Sequence, residues 1–580
     1  MRARTFLLMT TIAVASGVCY AAGAMTSCSP ALSEVDVEHG FKVQTDCGLP
    51  DRTVIRLAGG LSNAAKDAGL SDAQKVSLAK AANVMLSVLH VSADGGQHEA
   101  DVALAHLEPL VQSLAATLRA QPDMDLTAKA TGWSVRYTDL LHRSSNRRRS
   151  APVTLQIDDA LHRFDLDQAA TLTSSLLAEK ETSTQAASAR LFDAAQIELL
   201  RFRPQNALPY LTKAYALRPD DTAIASAFAD TLREQREPER AEAVYRALLA
   251  RYEALAQARP TTWQPDEART LDSLGAVYVV LQRPADAERA WLRALEIDWA
   301  LALHNPPVYG PAVAELFDNL GALYRDTQRL KDATDAYHEA LDIDRALSSR
   351  DPATYRPVVA TTLNDIGILY SASQRTADAE QAYREALEIQ RVLVRGNPAA
   401  WRPALARTLN NLGNLYSATQ RLEEAEHAYL EALTIRQQLV RQSPALYEPD
   451  VARTLGNLGV LYRAEQRPKE AQQAYQDALR IYRTLAREDP AVYEPDEART
   501  LNNLGVLYSH TQRPGEAENA YRQALDLYRI LARDDPVSYR QDEARTLGNL
   551  SALLSQTQRP REAEAAKREA ARLLDTAPQP

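Results

Sequence analysis

Scarcity narrows this chain before any motif does. Its three cysteines form no Cys-x-x-Cys pair and allow one disulfide at most. Phenylalanine occurs seven times, against an abundance of Ala, Leu, Arg and Glu. That balance favours helix, because these side chains lose little rotamer freedom there. Beyond the N-terminus, no stretch approaches the ~18 consecutive apolar residues of a membrane span. A formal net charge of -10 removes any general attraction to phosphate backbones, so nucleic acid is not an expected partner. Gly-x-Gly-x-x-Gly, a phosphate loop and Gly-x-Ser-x-Gly are all missing. His338-Glu339 lacks the second histidine of a zinc-protease helix, and Arg147-Arg148-Arg149 in its Ser-rich surroundings reads as a solvated loop. No catalytic, cofactor-binding or metal-ligating residue stands out, and the chain is not expected to be an enzyme.

At 580 residues the chain exceeds one compact core, while 45% apolar and 24% charged residues suit a folded protein. Residues 1–24 open with Arg2 and Arg4, run through apolar sequence from Phe6 to about Val18 and close on Ala22-Gly23-Ala24. This is the order of a secretory signal peptide cleaved after Ala24. Two other readings stay open: an uncleaved anchor, and lipid attachment at Cys28, since Met25-Thr26-Ser27-Cys28 loosely matches a lipobox. Loss of Cys19 with the signal would leave Cys28 and Cys47, a pair able to close a disulfide in an oxidising compartment. The expected location is periplasmic or secreted, with no membrane span in the mature chain.

From residue 262 the sequence copies itself at an interval of 46, carried by Gly275, Gly321, Gly367, Gly413, Gly459 and Gly505, with Ser551 in the seventh place. Ala287 to Ala563 and Pro260 to Pro536 keep the same interval. A fixed period means one unit stacked repeatedly, each copy burying a face it could not bury alone. In one copy Leu501, Leu504, Gly505 and Tyr508 form a helical stripe. Pro514 starts a second helix, whose stripe is Ala517, Tyr521, Ala524 and Tyr528. Gly505 and Ala517 let the two backbones approach while Tyr521 fills the space beside them. The seventh copy has Lys567 at the place of that aromatic, as suits a terminal unit.

These residues resemble the tetratricopeptide repeat family. Segments such as Thr408-Leu409-Asn410-Asn411-Leu412-Gly413-Asn414-Leu415-Tyr416 are similar to its long-repeat branch, typified by kinesin light chain, although a period of 46 is longer than usual. The resemblance implies an all-α fold of tandem helix-turn-helix repeats stacked in a right-handed superhelical solenoid, preceded by a small helical N-terminal region. The division expected is 1–24 signal, 25–154 N-terminal helical region of unassigned role, 155–261 degenerate or short repeats, and 262–575 the regular array with its cap. Ala195 with Ala207, and Ala229 with Ala241, mark the short copies, 34 residues apart.

In the family, the first-helix stripe turned away from the partner helix lines a concave groove for a peptide or partner helix. Here that stripe runs through Arg499, Asn502, Val506 and Ser509. Across copies it yields an arginine row (Arg269, Arg407, Arg453, Arg499, Arg545) and an asparagine row (Asn319, Asn411, Asn457, Asn503, Asn549), both at 46. Asparagine can grip a peptide amide and arginine a carboxylate, so a protein or peptide with an acidic segment is the expected partner. The competing reading pairs each Arg with a nearby acid and uses each Asn to bridge helices. Glu315, Thr361, Ser273 and Asp365 interrupt the rows before residue 400. A third row, from Trp263 to Tyr539, is expected to plug gaps between units. No cofactor is expected, and oligomeric state is not legible. The rival reading is an enzyme or ligand-binding domain within residues 25–154, with the repeats as docking arm.

Overall fold

The computed structural model describes residues 126–146, 152–177 and 183–575 apart from Gln442, together with two short strands and scattered positions before residue 126. The expected signal peptide, Cys28 and Cys47 lie outside the described residues. Strands β1 (Val35–Val37) and β2 (Phe41–Val43) pair antiparallel, with Asp36 opposite Lys42. Everything after residue 125 in the described chain is helix and short turn, as the all-α reading expects.

Seven helices precede the regular block: α1 (Leu126–Asn146), α2 (Pro152–His162), α3 (Leu166–Leu177), α4 (Thr184–Leu200), α5 (Pro204–Leu217), α6 (Thr222–Glu234) and α7 (Pro238–Ala258). The block then alternates first and second helices: α8 (Pro260–Val280), α9 (Pro284–His304), α10 (Pro306–Asp326), α11 (Leu330–Ser348), α12 (Pro352–Ala372) and α13 (Thr376–Gly396). It continues through α14 (Pro398–Ala418), α15 (Leu422–Val440), α16 (Pro444–Ala464), α17 (Pro468–Ala486), α18 (Pro490–His510), α19 (Pro514–Asp534), α20 (Pro536–Gln556) and α21 (Pro560–Asp575). Two compact units divide the chain, residues 1–373 with 392–400 and residues 374–391 with 401–580.

In the first unit, α1 seeds an aromatic core. Trp133 stacks on Tyr137 at 5.2 Å, and Phe164 meets both rings edge-on at 5.4 Å. Their polar tips are satisfied: Trp133 Nε1 donates to the Leu200 carbonyl and Tyr137 OH to the Leu161 carbonyl, each at 2.7 Å. Such pairing lets a buried Trp or Tyr contribute its apolar area without an orphaned donor. Further along, Gly275 sits so close to the Trp291 ring that a Cβ there would meet it at 2.3 Å.

In the second unit the same contact recurs as Gly505 against Tyr521, where a Cβ would stand 2.6 Å from the ring. Full burial of that aromatic stabilises the hairpin by about 2–3 kcal/mol. Where the ring is replaced by the exposed Lys567, the small residue becomes Ser551, whose hydroxyl donates to the Ala563 carbonyl at 2.7 Å. The glycine requirement therefore follows the ring, not the helix.

Eleven of the block's fourteen helices start with proline at the first position, where its missing N–H costs nothing, as at Pro490 and Pro514. Asp535 also caps α20, accepting from Ser538 N at 3.1 Å. The turn inside each hairpin is closed by glutamine: Gln282, Gln328, Gln374, Gln420, Gln466, Gln512 and Gln558 all have φ between 57 and 61. Gln512 N–H bonds to Ser509 O and Arg513 N–H to Tyr508 O, at 3.2 and 2.9 Å. This pair of bonds satisfies carbonyls that the helix end would otherwise leave open.

At six of these seven turns the arginine after the glutamine ties its repeat to the previous one; 41 residues before Arg375 stands Thr334. Arg467 lies 4.3 Å from the Tyr462 ring centroid and donates to Glu426, 41 residues back, at 2.9 and 3.1 Å, and to Glu470 at 2.8 Å. Arg329 of the first unit repeats the pattern with Tyr324, Glu288 and Asp332. A guanidinium that stacks and forks at once is held as a network, unlike a lone surface pair.

Candidate partner-binding face

Four of the five row arginines are already paired. Arg269 donates to Asp266 at 2.6 Å, and Arg453, Arg499 and Arg545 pair with Asp450, Asp496 and Asp542, in each case three residues earlier on the same helix. Their side chains remain 53 to 67% exposed, so each is a screened surface pair that a better acceptor can displace. Arg407 has Ala404 where the others have aspartate and has no such partner among the described residues.

The asparagine row is spent mainly on stacking. Asn549 Nδ2 donates to Asn502 Oδ1 at 3.0 Å, 47 residues back on the preceding first helix. Asn457 reaches Asn410 at 3.3 Å and Asn414 at 3.1 Å, and Asn319 reaches Asp272 at 3.5 Å. Asn502 is 5% exposed, so it serves as a buried acceptor and not as an open groove residue. Asn411 is also engaged. Asn503 is the exception. The place 47 residues before it is Gly456, which has no side chain to accept, and Asn503 has no partner among the described residues.

A second register position, on the second helix, sets the electrostatics behind this face. It carries Asp298, Asp344, Gln390, Arg436, Tyr482 and Tyr528 in successive copies. Each hydrogen-bonding member turns to a first-helix threonine where one exists: Gln390 Nε2 donates to Thr408 at 3.0 Å, Thr362 donates to Asp344 at 3.1 Å, and Arg436 contacts Thr454. Asp298 faces Leu316 at the threonine place and finds no such bond. Burial, with Asp272 nearby, pushes Asp298 up to about 7. Burial pulls the Arg436 guanidinium, 2% exposed, down to about 10, and its bonds to Asn410 and the Asp450 carbonyl compensate part of that cost.

In the first unit the first-helix face adds Asp272, Glu315, Asp318 and Asp365. Burial, then the neighbouring Asp344 and Asp365, pushes Asp318 up to about 8. The expected basic character is thus confined to the copies carrying Arg407, Arg453, Arg499 and Arg545. The third row is half-buried: Trp263 packs against Tyr252 of α7 at 5.9 Å, and Tyr493 joins Tyr482 and Leu485. Trp263 and Tyr493 thus fill gaps between neighbouring repeats. Among the described residues no group of acids, histidines and cysteines is placed to hold a metal ion, and no helix is long and apolar enough to cross a membrane.

Residues 312–391 match one family model of the tetratricopeptide repeat, and residues 405–444, 451–490 and 498–536 match a second. No curated protein matches the sequence. Among solved structures, the chain is similar to BtubC (BKLC) from P. vanneervenii, at 22% identity over 43% of this chain and 94% of that one, with a TM-score of 0.36. It is similar to pilF of Pseudomonas aeruginosa at 20% identity over 46% and 93%, TM-score 0.30. A putative kinesin light chain from Podosopora anserina, with nearly identical TPR-like repeats, gives 15% identity over 38% and 96%, TM-score 0.31.

Proposed function

Because the chain is a tetratricopeptide-repeat protein, we propose that its array is a scaffold holding a protein or peptide partner along the first-helix face of the second unit, in the cell envelope. The observation that carries this reading is Asn503. Its equivalents spend their amides on the neighbouring repeat, whereas Asn503 keeps donor and acceptor unspent. Four residues before it on α18, Arg499 is 54% exposed and, among the described residues, is held by Asp496 alone. An extended segment offering a main-chain amide to Asn503 and a carboxylate to Arg499 meets both needs. Each contact is modest, and affinity comes from their number along the helices. The envelope location is supported by the signal-like order of residues 1–24.

The test is affinity capture from native envelope extract with the full chain, comparing wild type with Arg499→Ala combined with Asn503→Ala. Neither change removes a rung between repeats, whereas Asn457→Ala would. A partner kept by wild type and lost by the variant supports the face; equal capture by both overturns it.

A second reading, a ligand site in the helices before the array, is favoured by one feature. A cavity of about 380 Å³ lies among α1 to α4, lined by Leu140, Ile157, Leu161, Leu176 and Ile197 with Arg190 and Asp193 beside them. An apolar floor with a few convergent polar groups is what a small-molecule site requires. Saturable binding of an apolar fluorophore to the full chain, abolished by Leu161→Trp, would support it.

A further inference from the structure

The strongest feature outside the first-helix face lies between two second helices of the second unit. There α17 and α19 flank an open cavity of about 510 Å³, floored by Leu501, Leu504 and Tyr508 of α18. Arg480, Arg483 and Arg487 stand around it, with Glu516, which Arg513 holds, also on the lining. Asp477 answers Arg480, and Glu497 accepts from Arg483 Nε at 3.0 Å. The Arg487 side chain has no hydrogen-bond or ion-pair partner among the described residues.

The repeat supplies its own controls. Forty residues after Arg391 and Arg529 stand Glu431 and Glu569, each paired with its arginine, at 3.3 and 2.8 Å. Arg529 also keeps Glu543 at 3.6 Å, the counterpart of Glu497. Forty residues after Arg483 stands Gln523, which accepts from the guanidinium at 2.8 Å and brings no charge. Beside the Arg529 junction, which holds both Glu543 and Glu569, this one has one carboxylate fewer, and it is the junction with the cavity.

We propose that this cavity docks an acidic segment of a partner protein, seating one apolar side chain on Leu501, Leu504 and Tyr508 and giving a carboxylate to Arg483 and Arg487. The inference rests on the protein-binding reading of the array but places the contact on a different face, since neither Arg499 nor Asn503 lines the cavity. A carboxylate replaces the neutral Gln523 contact by a charge-assisted one, and the half-enclosed setting weakens the screening that makes open surface pairs nearly worthless. The apolar floor selects segments that alternate acidic and apolar residues over uniformly acidic ones.

The probe is a fluorescein-labelled peptide of alternating glutamate and leucine, with a glutamine–leucine peptide as neutral control, followed by anisotropy on the full chain. Gln523→Glu installs the carboxylate that the neighbouring junctions already carry, so the fold is kept while the surplus charge is cancelled. It should weaken the acidic probe by about fivefold, and Arg483→Ala with Arg487→Ala by more than about tenfold. The Arg499→Ala, Asn503→Ala variant should bind the probe as wild type does. Equal binding by wild type and Gln523→Glu, equal binding of the neutral peptide, or no binding overturns the proposal. Loss in the Arg499, Asn503 variant alone also overturns it, while leaving the first-helix reading standing.

Discussion

Thr362 Oγ1 lies 3.1 Å from Asp344 Oδ2 and 3.4 Å from Asp318 Oδ2, so a single hydroxyl stands between two carboxyl groups. It is also 3.3 Å from the Val358 carbonyl, and Asp318 Oδ1 is buried without a partner. One proton cannot satisfy that many acceptors, and a second, carried by a carboxyl, resolves the conflict. Tyr337 from α11, Asp365 and Tyr355 from α12, and Glu315 from α10 itself face this pair, and the acids among them oppose its ionisation.

The pH dependence follows from the direction of the shifts. Burial raises Asp344 to about 6 and, with Asp344 and Asp365 adding to it, raises Asp318 to about 8, both above the ordinary 3.8. Groups raised in the folded state bind protons more tightly there, so their contribution is full below about pH 4 and lost as pH rises to about 8. Hydrogen exchange across α10 to α12, corrected for the intrinsic rate, should show protection falling between pH 5 and pH 9. Asp318→Asn should flatten that fall; an unchanged slope would remove the shared proton from the account.

Glycine should change sign with its surroundings. A Cβ at Gly505 would meet the Tyr521 ring at 2.6 Å, whereas one at Gly548, also within a first helix, meets nothing within 4 Å. Gly505→Ala should therefore destabilise by about 1–3 kcal/mol despite better helix propensity. Gly548→Ala should stabilise by about 0.5–1 kcal/mol. Urea denaturation followed by circular dichroism separates the two, and a shared sign would contradict the contact.

The left-handed turn residue offers an independent check. Gln512 has φ of 57, a conformation costing a non-glycine residue about 1–2 kcal/mol. Gln512→Gly should raise the denaturation midpoint, by about 0.5–1 kcal/mol after the added freedom of the unfolded chain is subtracted. Gln512→Val, β-branched, should lower it. Equal midpoints for all three would mean that the turn relaxes at no cost.

Legibility tracked distance from the repeat unit. Helix, turn and helix were readable because Gly505, Pro514 and Tyr521 act within one copy, where spacing alone reports the contact. The left-handed residue closing that turn was not, since glutamine is not a residue that normally announces positive φ; only recurrence of Gln-Arg at 46 marks it. The arginine row was visible as a row, yet its neutralising aspartates three residues earlier were equally visible and proved to be its partners. Contacts between copies were the hardest to foresee. The Asn549–Asn502 rung spans 47 residues and the Arg467–Glu426 tie spans 41, and neither offset follows from helical periodicity. Nothing in the sequence marks Asp298, Asp344 and Arg436 as the charges that packing places inside.

The missing rung at Gly456 joins stability to binding. Asn502 shows what the place can do, accepting from Asn549 at 3.0 Å, and Gly456 has open space around it for a side chain. Gly456→Asn should give Asn503 the acceptor it lacks and stabilise the junction by about 1 kcal/mol, part from the new bond and part from removing glycine inside a helix. A double-mutant cycle with Asn503→Ala isolates the bond, with an expected coupling of about 0.5–1 kcal/mol. If Asn503 serves a partner because it is unspent, the same Gly456→Asn substitution should weaken capture while making the array more stable. That opposition is hard to obtain otherwise, since a variant that merely perturbs folding loses both. Increased stability with unchanged capture would show that the partner does not use Asn503, and would turn attention to Arg407 and Arg453 on the same face.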